Sequence, residues 1–206
     1  MSSPSAGPFG PIISGKQVEA ATRATIQLWF PTYLAEAAAQ SGIGRDKLQL
    51  FRSYSSKLTL AKAAEDQMPA CVIVAPGTDG APERHHGKIT MQWAVGIGCI
   101  VSGQDVDSTY DLARTYVAAV RALMLQQSSL GGFADAVDLV SERYDDLATQ
   151  QLRTLCAGVV QLSVRVSNIT DTMRGPTAPN QTPADPLPDL PTVENVYYDI
   201  QEESYT

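Results

Sequence analysis

The chain has 206 residues, of which 44% are hydrophobic and 18% charged, and its formal net charge is −7. This length and composition predict one domain with a hydrophobic core of ordinary size, extended by segments outside that core. The negative charge argues against a folded surface that grips nucleic acid through basic side chains, because such a chain repels phosphates.

Residues 1–15 are rich in Ser, Pro and Gly, so we expect a flexible amino-terminal arm there. They lack the basic start and long apolar run of a secretion signal, and the chain has no stretch of 18 apolar residues. We therefore expect neither export nor a membrane-spanning helix. The three cysteines lie singly within apolar stretches, at Cys71, Cys99 and Cys156. We interpret them as buried, reduced thiols of an intracellular protein.

A helical pattern begins at Lys16, where apolar residues recur at three- and four-residue spacings. The residues expected to face inward are Val18, Ala21, Thr25, Leu28 and Trp29. Proline lacks an amide proton and disfavours helix in the residue before it, so we expect a break at Phe30–Pro31. A second short helix is predicted from Pro31 to Ser41, ended by Gly42. Its inward-facing residues are expected to be Tyr33, Leu34 and Ala37.

Two strands are predicted next. The apolar run MPACVIVAP, bounded by Pro69 and Pro76, is typical of a buried strand. The glycine-rich stretch PGTDGAPERHHGKI then forms a loop, and KITMQWAVGIGCIVSG alternates strictly over residues 88–103. At ~3.3 Å per residue that strand is on the order of 45 Å long, more than a small core needs. The loop is therefore the tip of a hairpin that is expected to project in part.

A second helix region follows, in which Ser108 and Asp111 resemble a capping box, with Asp107 as a competing cap. This helix is expected to end near Gln126, with an apolar stripe of Ala113, Tyr116, Val117, Val120, Leu123 and Met124. After it we predict a short strand over 136–140, an acidic turn at SERYDDL, and a long strand over 151–170. The last strand places Val160, Leu162, Val164 and Val166 on one face.

The composition changes at Asp171. Six prolines between residues 176 and 191 predict an extended linker. The segment TVENVYYDI beyond it resembles a strand, with Val193, Val196, Tyr197, Tyr198 and Ile200 available for packing. We predict an arm over 171–206 that docks on a neighbouring subunit, with a disordered tail as the alternative. The predicted fold is α+β: over 16–170, an antiparallel or mixed sheet with a long hairpin packs against helices.

Both histidines lie in the predicted loop, next to Glu83. Adjacent strand residues point to opposite faces, so His85 and His86 do not easily chelate one metal ion, and the cysteine spacing does not suit zinc. A histidine base needs an orienting partner, and no nucleophile motif accompanies Glu83. We predict no catalytic, metal or cofactor site. The loop is interpreted as a contact surface, with candidate interface residues Asp79, Glu83, Arg84, His85, His86 and Lys88.

Two other patterns were weighed as functional sites. Gly96 and Gly98 are faintly similar to a dinucleotide fingerprint, but they share a strand face and do not begin a helix, so they are expected to admit a close backbone or helix. The carboxylates of SERYDDL, at Glu142, Asp145 and Asp146, lack a calcium-loop pattern and are interpreted as a solvated turn. The sequence contains no Walker loop, GxSxG elbow, HExxH motif or zinc ribbon.

Six stretches follow one another along the chain in this order: DQMPACVIVAPGT, KITMQWAVGIGCIVSG, DVDSTYDLARTYVAAVRALMLQQSSLGGF, SERYDDL, RTLCAGVVQLSVRVSNI, and a proline-rich tail ending PTVENVYYDI. This order resembles that found in the tail terminator proteins of long-tailed bacteriophages, especially those that infect actinobacteria. The resemblance covers residues 53–200 and rests on pattern and order, without a catalytic signature.

The resemblance implies an α+β subunit of a hexameric ring that caps the tail tube, stops its polymerisation and joins it to the head connector. The implied partners are further copies of the chain, the tube protein and connector proteins. DNA would pass through the lumen without specific binding, which a negative charge suits. The protein would be a structural part of the virion neck, assembled in the host cytoplasm, and no enzyme.

Three alternatives remain open. The protein could be another neck component, such as a head-closure or connector-adaptor protein. It could be a small intracellular enzyme that uses His85 with Glu83 or the SERYDDL acids, or a host-derived binding module.

Overall fold

The computed structural model of this chain describes residues 11–56, 67–150 and 153–172. Within them, two helices pack against a five-stranded mixed sheet, so the predicted α+β fold is confirmed. Most of the predicted amino-terminal arm, and the predicted carboxy-terminal arm from residue 173 onward, lie outside the described residues.

The helices are α1, Gly15–Ser41, and α2, Val106–Gln126. The strands are β1, Ser53–Ser55; β2, Ala70–His85; β3, Lys88–Gly103; β4, Ala136–Gln150; and β5, Arg153–Asp171. The strand order is β1-β2-β3-β5-β4; β1 is parallel to β2, and the other pairs are antiparallel. The last described strand, β5, therefore lies between β3 and β4.

The main core lies between the helices and one face of the sheet. The register places Ile97 of β3 opposite Ile73 of β2 and Val160 of β5, and all three side chains are buried. Fully burying one such side chain contributes about 1.5–3 kcal/mol. The four residues predicted to share one face of β5 are Val160, Leu162, Val164 and Val166. All four are buried, so this face is confirmed as part of the core.

The helix α1 is continuous, so the predicted break at Phe30–Pro31 is wrong. Pro31 lies on the exposed side of α1, where the carbonyl group that loses its amide partner can be hydrated. Both neighbouring turns are held by the core: Phe30 and Leu34 are buried, and the ring of Phe30 stacks on that of Phe51 at 4.2 Å. Tertiary packing thus outweighs the local cost of the proline.

The buried face of α1 differs in part from the predicted one. Val18, Ala21 and Thr25 are buried as predicted, but Leu28 is 69% exposed and Trp29 is 41% exposed. The buried stripe instead follows Thr22, Ile26, Phe30, Leu34 and Ala38 along the helix. Tyr33 and Ala37 are partly buried against the core. Gly42 ends the helix in the left-handed conformation, at φ 70°, as predicted.

The cap of helix α2 lies two or three residues before the predicted positions, Asp107 and Ser108. The carboxylate of Asp105 accepts a hydrogen bond from the amide of Ser108 at 2.8 Å, so Asp105 is the cap. The predicted caps Ser108 and Asp107 are wrong, because both already lie within the helix. The helix ends at Gln126 as predicted, and the whole predicted apolar stripe of α2 is buried.

Two predicted non-strand segments are strands. The acidic segment SERYDDL belongs to β4, where Glu142 pairs with Val160 and Tyr144 pairs with Gly158 of β5. The predicted turn is therefore wrong. Likewise β2 continues through the predicted glycine-rich loop as far as His85. In both segments the hydrogen bonds to a long partner strand outweigh the local preference of polar residues for turns.

The closest approach of helix and sheet occurs at Gly158. A Cβ atom there would lie 2.3 Å from Cγ2 of Val117, so only glycine fits beneath α2. At Gly96 the corresponding contact is with Cγ2 of Val74 in β2, at 3.2 Å. The close helix expected at Gly96 and Gly98 is thus found at Gly158 instead.

We expect Gly158→Ala to lower the free energy of unfolding by about 1–3 kcal/mol, because the added methyl group must displace Val117 or α2. Gly77→Ala is the matched control: nothing lies within 4 Å of its Cβ position, so a change within about 0.5 kcal/mol is expected. Urea denaturation followed by circular dichroism measures both variants. Equal stability of the two would contradict the described contact.

The three cysteines are buried in the sheet, and Cys71 of β2 is the register partner of Cys99 of β3. Burial raises the pKa of the Cys71 thiol to about 12. Burial, and then the neighbouring Cys71, raises the pKa of Cys99 well above its ordinary value. At pH 8 both groups are therefore protonated thiols, which are poor nucleophiles.

We expect a thiol reagent such as Ellman's reagent to react with none of the cysteines of the native protein at pH 8. In 6 M guanidinium chloride it should react with all three, since unfolding restores ordinary pKa values and access. Absorbance of the released thiolate gives the count. Rapid reaction of a native thiol would contradict the buried positions.

Candidate functional site: the projecting end of the sheet

The helices cover only part of the long strands. The amide of Ala75 in β2 donates to Oε1 of Glu19 at 2.9 Å, near the amino-terminal end of α1. Beyond this contact, every residue from Thr78 to His86 is exposed. We name residues 76–92 of β2 and β3, with residues 165–171 of β5, the projecting end; its hairpin tip lies beyond the helices, whereas Val166 and Ile169 of β5 remain buried in the main core.

The projecting end is a three-stranded structure. The strand β5 accompanies β3 to its start, where Asp171 pairs with Lys88. The amide of Thr172 donates to the carbonyl oxygen of Gly87 at 2.7 Å. An ion pair between Arg165 and Glu83, at 2.5 Å, spans the intervening strand β3. Since both charges are largely exposed, this pair contributes at most about 1 kcal/mol. The hydrogen-bonded third strand is what stiffens the hairpin.

The turn at the tip consists of His86 and Gly87 alone. Both have left-handed backbone conformations, with φ 47° and φ 79°, as a two-residue hairpin turn of this kind requires. The rings of His85 and His86 lie 4.2 Å apart between centroids, at 69°. The prediction that these side chains point apart is wrong, because His86 lies in the turn and not in a strand. Among the described residues, no cluster of three or more His, Cys, Asp or Glu side chains could hold a metal ion.

All six residues predicted as the interface are exposed on the projecting end: Asp79, Glu83, Arg84, His85, His86 and Lys88. They comprise two carboxylates, two cationic side chains and two imidazoles. A bulge between Asp79 and Glu83 interrupts the pairing of β2 with β3. Exposed polar groups of both signs on a stiff support suit contact with another protein surface.

One of the acids of SERYDDL, Glu142, has a structural role. Nη1 of Arg121 in α2 donates to both carboxylate oxygens of Glu142, at 2.8 and 2.6 Å. This pair connects α2 to β4, and no local pattern in the sequence predicts it. Asp145 is exposed, and the side chain of Asp146 is not among the described ones.

A polar hollow of about 580 Å³ lies at the start of α2. Lys47, Asp105, Ser108 and Asp111 contribute to its walls, but neither histidine nor cysteine does. Asp105 is already engaged as the helix cap. The hydroxyl of Ser108 donates to the same carboxylate, at 2.5 Å, so both groups take part in the start of α2.

A second surface, the outer edge of β4, was missed by sequence reasoning. In the described sheet β4 is the last strand, and no described strand pairs with its outer side. Two apolar side chains are exposed on it, Leu139 at 40% and Val140 at 60%. The absence of glycine and proline from residues 136–150 was the signal that favoured one long strand over a strand and a turn.

The predicted docking residues of the arm, at positions 193–200, lie outside the described residues. The part of the chain that the structure describes has no helix long and apolar enough to cross a bilayer. The chain matches no protein-family model and no curated protein.

We expect Gly87→Ala to destabilise the hairpin by about 1 kcal/mol, because a residue with a Cβ atom is strained in the left-handed region. His86→Asn is the matched control, since Asn tolerates this region and Asn-Gly favours the same turn; its stability should be unchanged or slightly raised. Denaturation midpoints measure the difference, and amide exchange of residues 83–90 locates it. Unaltered stability of Gly87→Ala would contradict the described turn.

Proposed function

We propose that this protein is a structural subunit of a phage tail, the tail terminator, and that it forms a ring at the end of the tail tube. The observation that carries the proposal is a sheet with two different edges, on opposite sides, that have no partner among the described strands. One edge is β4. The other is β2 beyond Val72, because β1 pairs only with residues 70–72.

Two unlike edges allow copies of one chain to bind head to tail. Such heterologous contacts close into a ring when the rotation between neighbours fits a whole number of copies. A hexamer is the ring size that the sequence resemblance implies. The projecting end supports the same proposal, because it carries a stiff polar surface past the helices toward a neighbouring copy or the next ring.

The ring would end tube growth by occupying the face to which the next tube subunits would add. Its opposite face would bind the head connector instead. The net charge of −7 suits a lumen through which DNA slides without sticking, since negative walls repel phosphates. The proposed location is the virion neck, after assembly in the host cytoplasm.

The proposal is tested by negative-stain electron microscopy and light scattering of the full-length protein, alone and mixed with tail tubes. We expect closed rings, and tubes capped at one end, because the two edges of each copy should satisfy one another around the ring. Monomers alone in both samples would contradict the proposal.

Two comparisons separate the terminator from the other neck proteins. Phage particles assembled without this protein should have overlong tails and unjoined heads, whereas tails of normal length would exclude a terminator. Binding to a portal-side protein but not to tube protein would identify a head-closure or connector-adaptor subunit.

A further inference from the structure

The outer edge of β4 is an unusual surface for a finished protein. It extends over 15 residues, and its outward amide and carbonyl groups have no partner among the described strands. Native sheets usually blunt such an edge, because it binds other strands readily. Here the edge carries exposed Leu139 and Val140. These features are those of a strand that receives another strand.

The helix side of this edge is also apolar. Arg121 of α2 pairs with Glu142, and Tyr110, earlier in α2, contacts Tyr144, with ring centroids 5.8 Å apart. The helix thus runs antiparallel to β4. One turn beyond Arg121, about 5.4 Å along the helix, lies Leu125, which is 40% exposed. Leu139 lies three residues from Glu142 in the same direction, or about 10 Å along β4, and its pairing with the buried Leu162 places it on the helix side. A strand added to β4 would therefore meet both leucines on its helix side.

The edge of β2 is less suited than that of β4 to pair with an added strand. It contains Pro76 and Pro82, which lack an amide donor. Register shifts occur in both strands, after Val74 and Asp79 in β2 and after Leu139 and Asp146 in β4, so they do not distinguish the two edges. Proline does, because it is one of the usual means of blunting an edge. β4 contains no proline and is therefore the better site for strand addition.

The second part of TVENVYYDI, residues 195–200, has an apolar face when it is extended. In a strand, Val196, Tyr198 and Ile200 fall on one face, and Asn195, Tyr197 and Asp199 fall on the other. The first face is apolar over these six residues and suits contact with the leucines, whereas the second carries two polar side chains and a tyrosine. Main-chain hydrogen bonds would supply affinity, and the alternate side chains would supply specificity.

The linker is long enough for residues 192–200 to reach another copy of the chain. Residues 173–191 contain six prolines, and a polyproline-like linker of this length spans about 60 Å at ~3.1 Å per residue. The start of β4 is much nearer to Thr172, the last described residue. Ala136 of β4 pairs with Arg165 of β5. Arg165 precedes Thr172 by seven residues, or roughly 23 Å along the strand. A stiff linker that greatly exceeds the span disfavours return to the same chain.

We propose that residues 192–200 of one copy add as a further strand to β4 of a neighbouring copy, with Tyr198 and Ile200 against Leu139 and Leu125. The choice of a neighbour rests on the proposed ring. Each subunit would then be held to the next by a strand as well as by its folded surface, and the free edge of β4 would be covered on assembly.

The test uses two full-length variants expressed together with different tags, Leu139→Cys in one and Tyr198→Cys in the other. Mild oxidation should link the two chains into a disulfide-bonded heterodimer, seen by non-reducing electrophoresis with both tags. The native cysteines are buried and give little background. Val140→Cys, next to Leu139 but on the other face of a regular strand, is paired with Tyr197→Cys as a second receiver position. The matched control is Leu28→Cys, equally apolar and 69% exposed, but on α1.

The outcomes separate this proposal from the ring. Linkage at Leu139 or Val140 well above that at Leu28 supports strand addition. Rings without this linkage overturn the strand addition and leave the ring standing. Linkage without rings supports strand addition and counts against the terminator. When both cysteines are placed in one chain, exclusive linkage within that chain overturns the assignment to a neighbour.

Discussion

The contact between α2 and the backbone of β5 at Gly158 sets the distance between the helices and the sheet. With a Cβ position only 2.3 Å from Val117, no larger residue allows the helix to lie so close. This close approach lets the apolar stripe of α2 reach the layer formed by β3 and β5. It also brings Arg121 within reach of Glu142 at the edge strand. The sheet is thus covered tightly, but only where the helices lie.

The two candidate interaction surfaces follow from this limited cover. The β2–β3 hairpin is longer than the helix layer, so its tip continues past that layer within the projecting end. The strand β4 lies at the margin of the same layer, with Leu139 half covered and Val140 outside it. Two of the acids considered as catalytic groups in the sequence form ion pairs within this framework, Glu142 with Arg121 and Glu83 with Arg165.

Sequence reasoning predicted the elements in which periodicity and burial agree. The strand β3 has the predicted bounds, and the apolar stripe of α2 is the predicted one, because each alternates or repeats without interruption. It failed where a distant partner decides the conformation. Nothing local reveals that residues 141–147 pair with β5, or that the packing of Phe30 and Leu34 carries a helix through Pro31.

The candidate site, too, could be predicted from the sequence only in part. The six polar residues of the hairpin lie at its exposed end, as the alternation of β3 and the polar connection suggested. The length of the turn and the proximity of the two histidine rings were not foreseen, because both depend on the register between β2 and β3. The edge of β4 follows only from the strand order, which no local pattern specifies.

The position of β5 has a consequence for how the chain folds during synthesis. It is the last described strand in sequence, yet it lies between β3 and β4, and Ile13 hydrogen-bonds to Ile169 near its end. Until the ribosome has released this segment, β3 and β4 have no common partner and both expose open edges. The described sheet therefore closes late, through contacts between distant parts of the chain, which are slow to form. The nascent chain is most vulnerable to aggregation just before β5 is inserted.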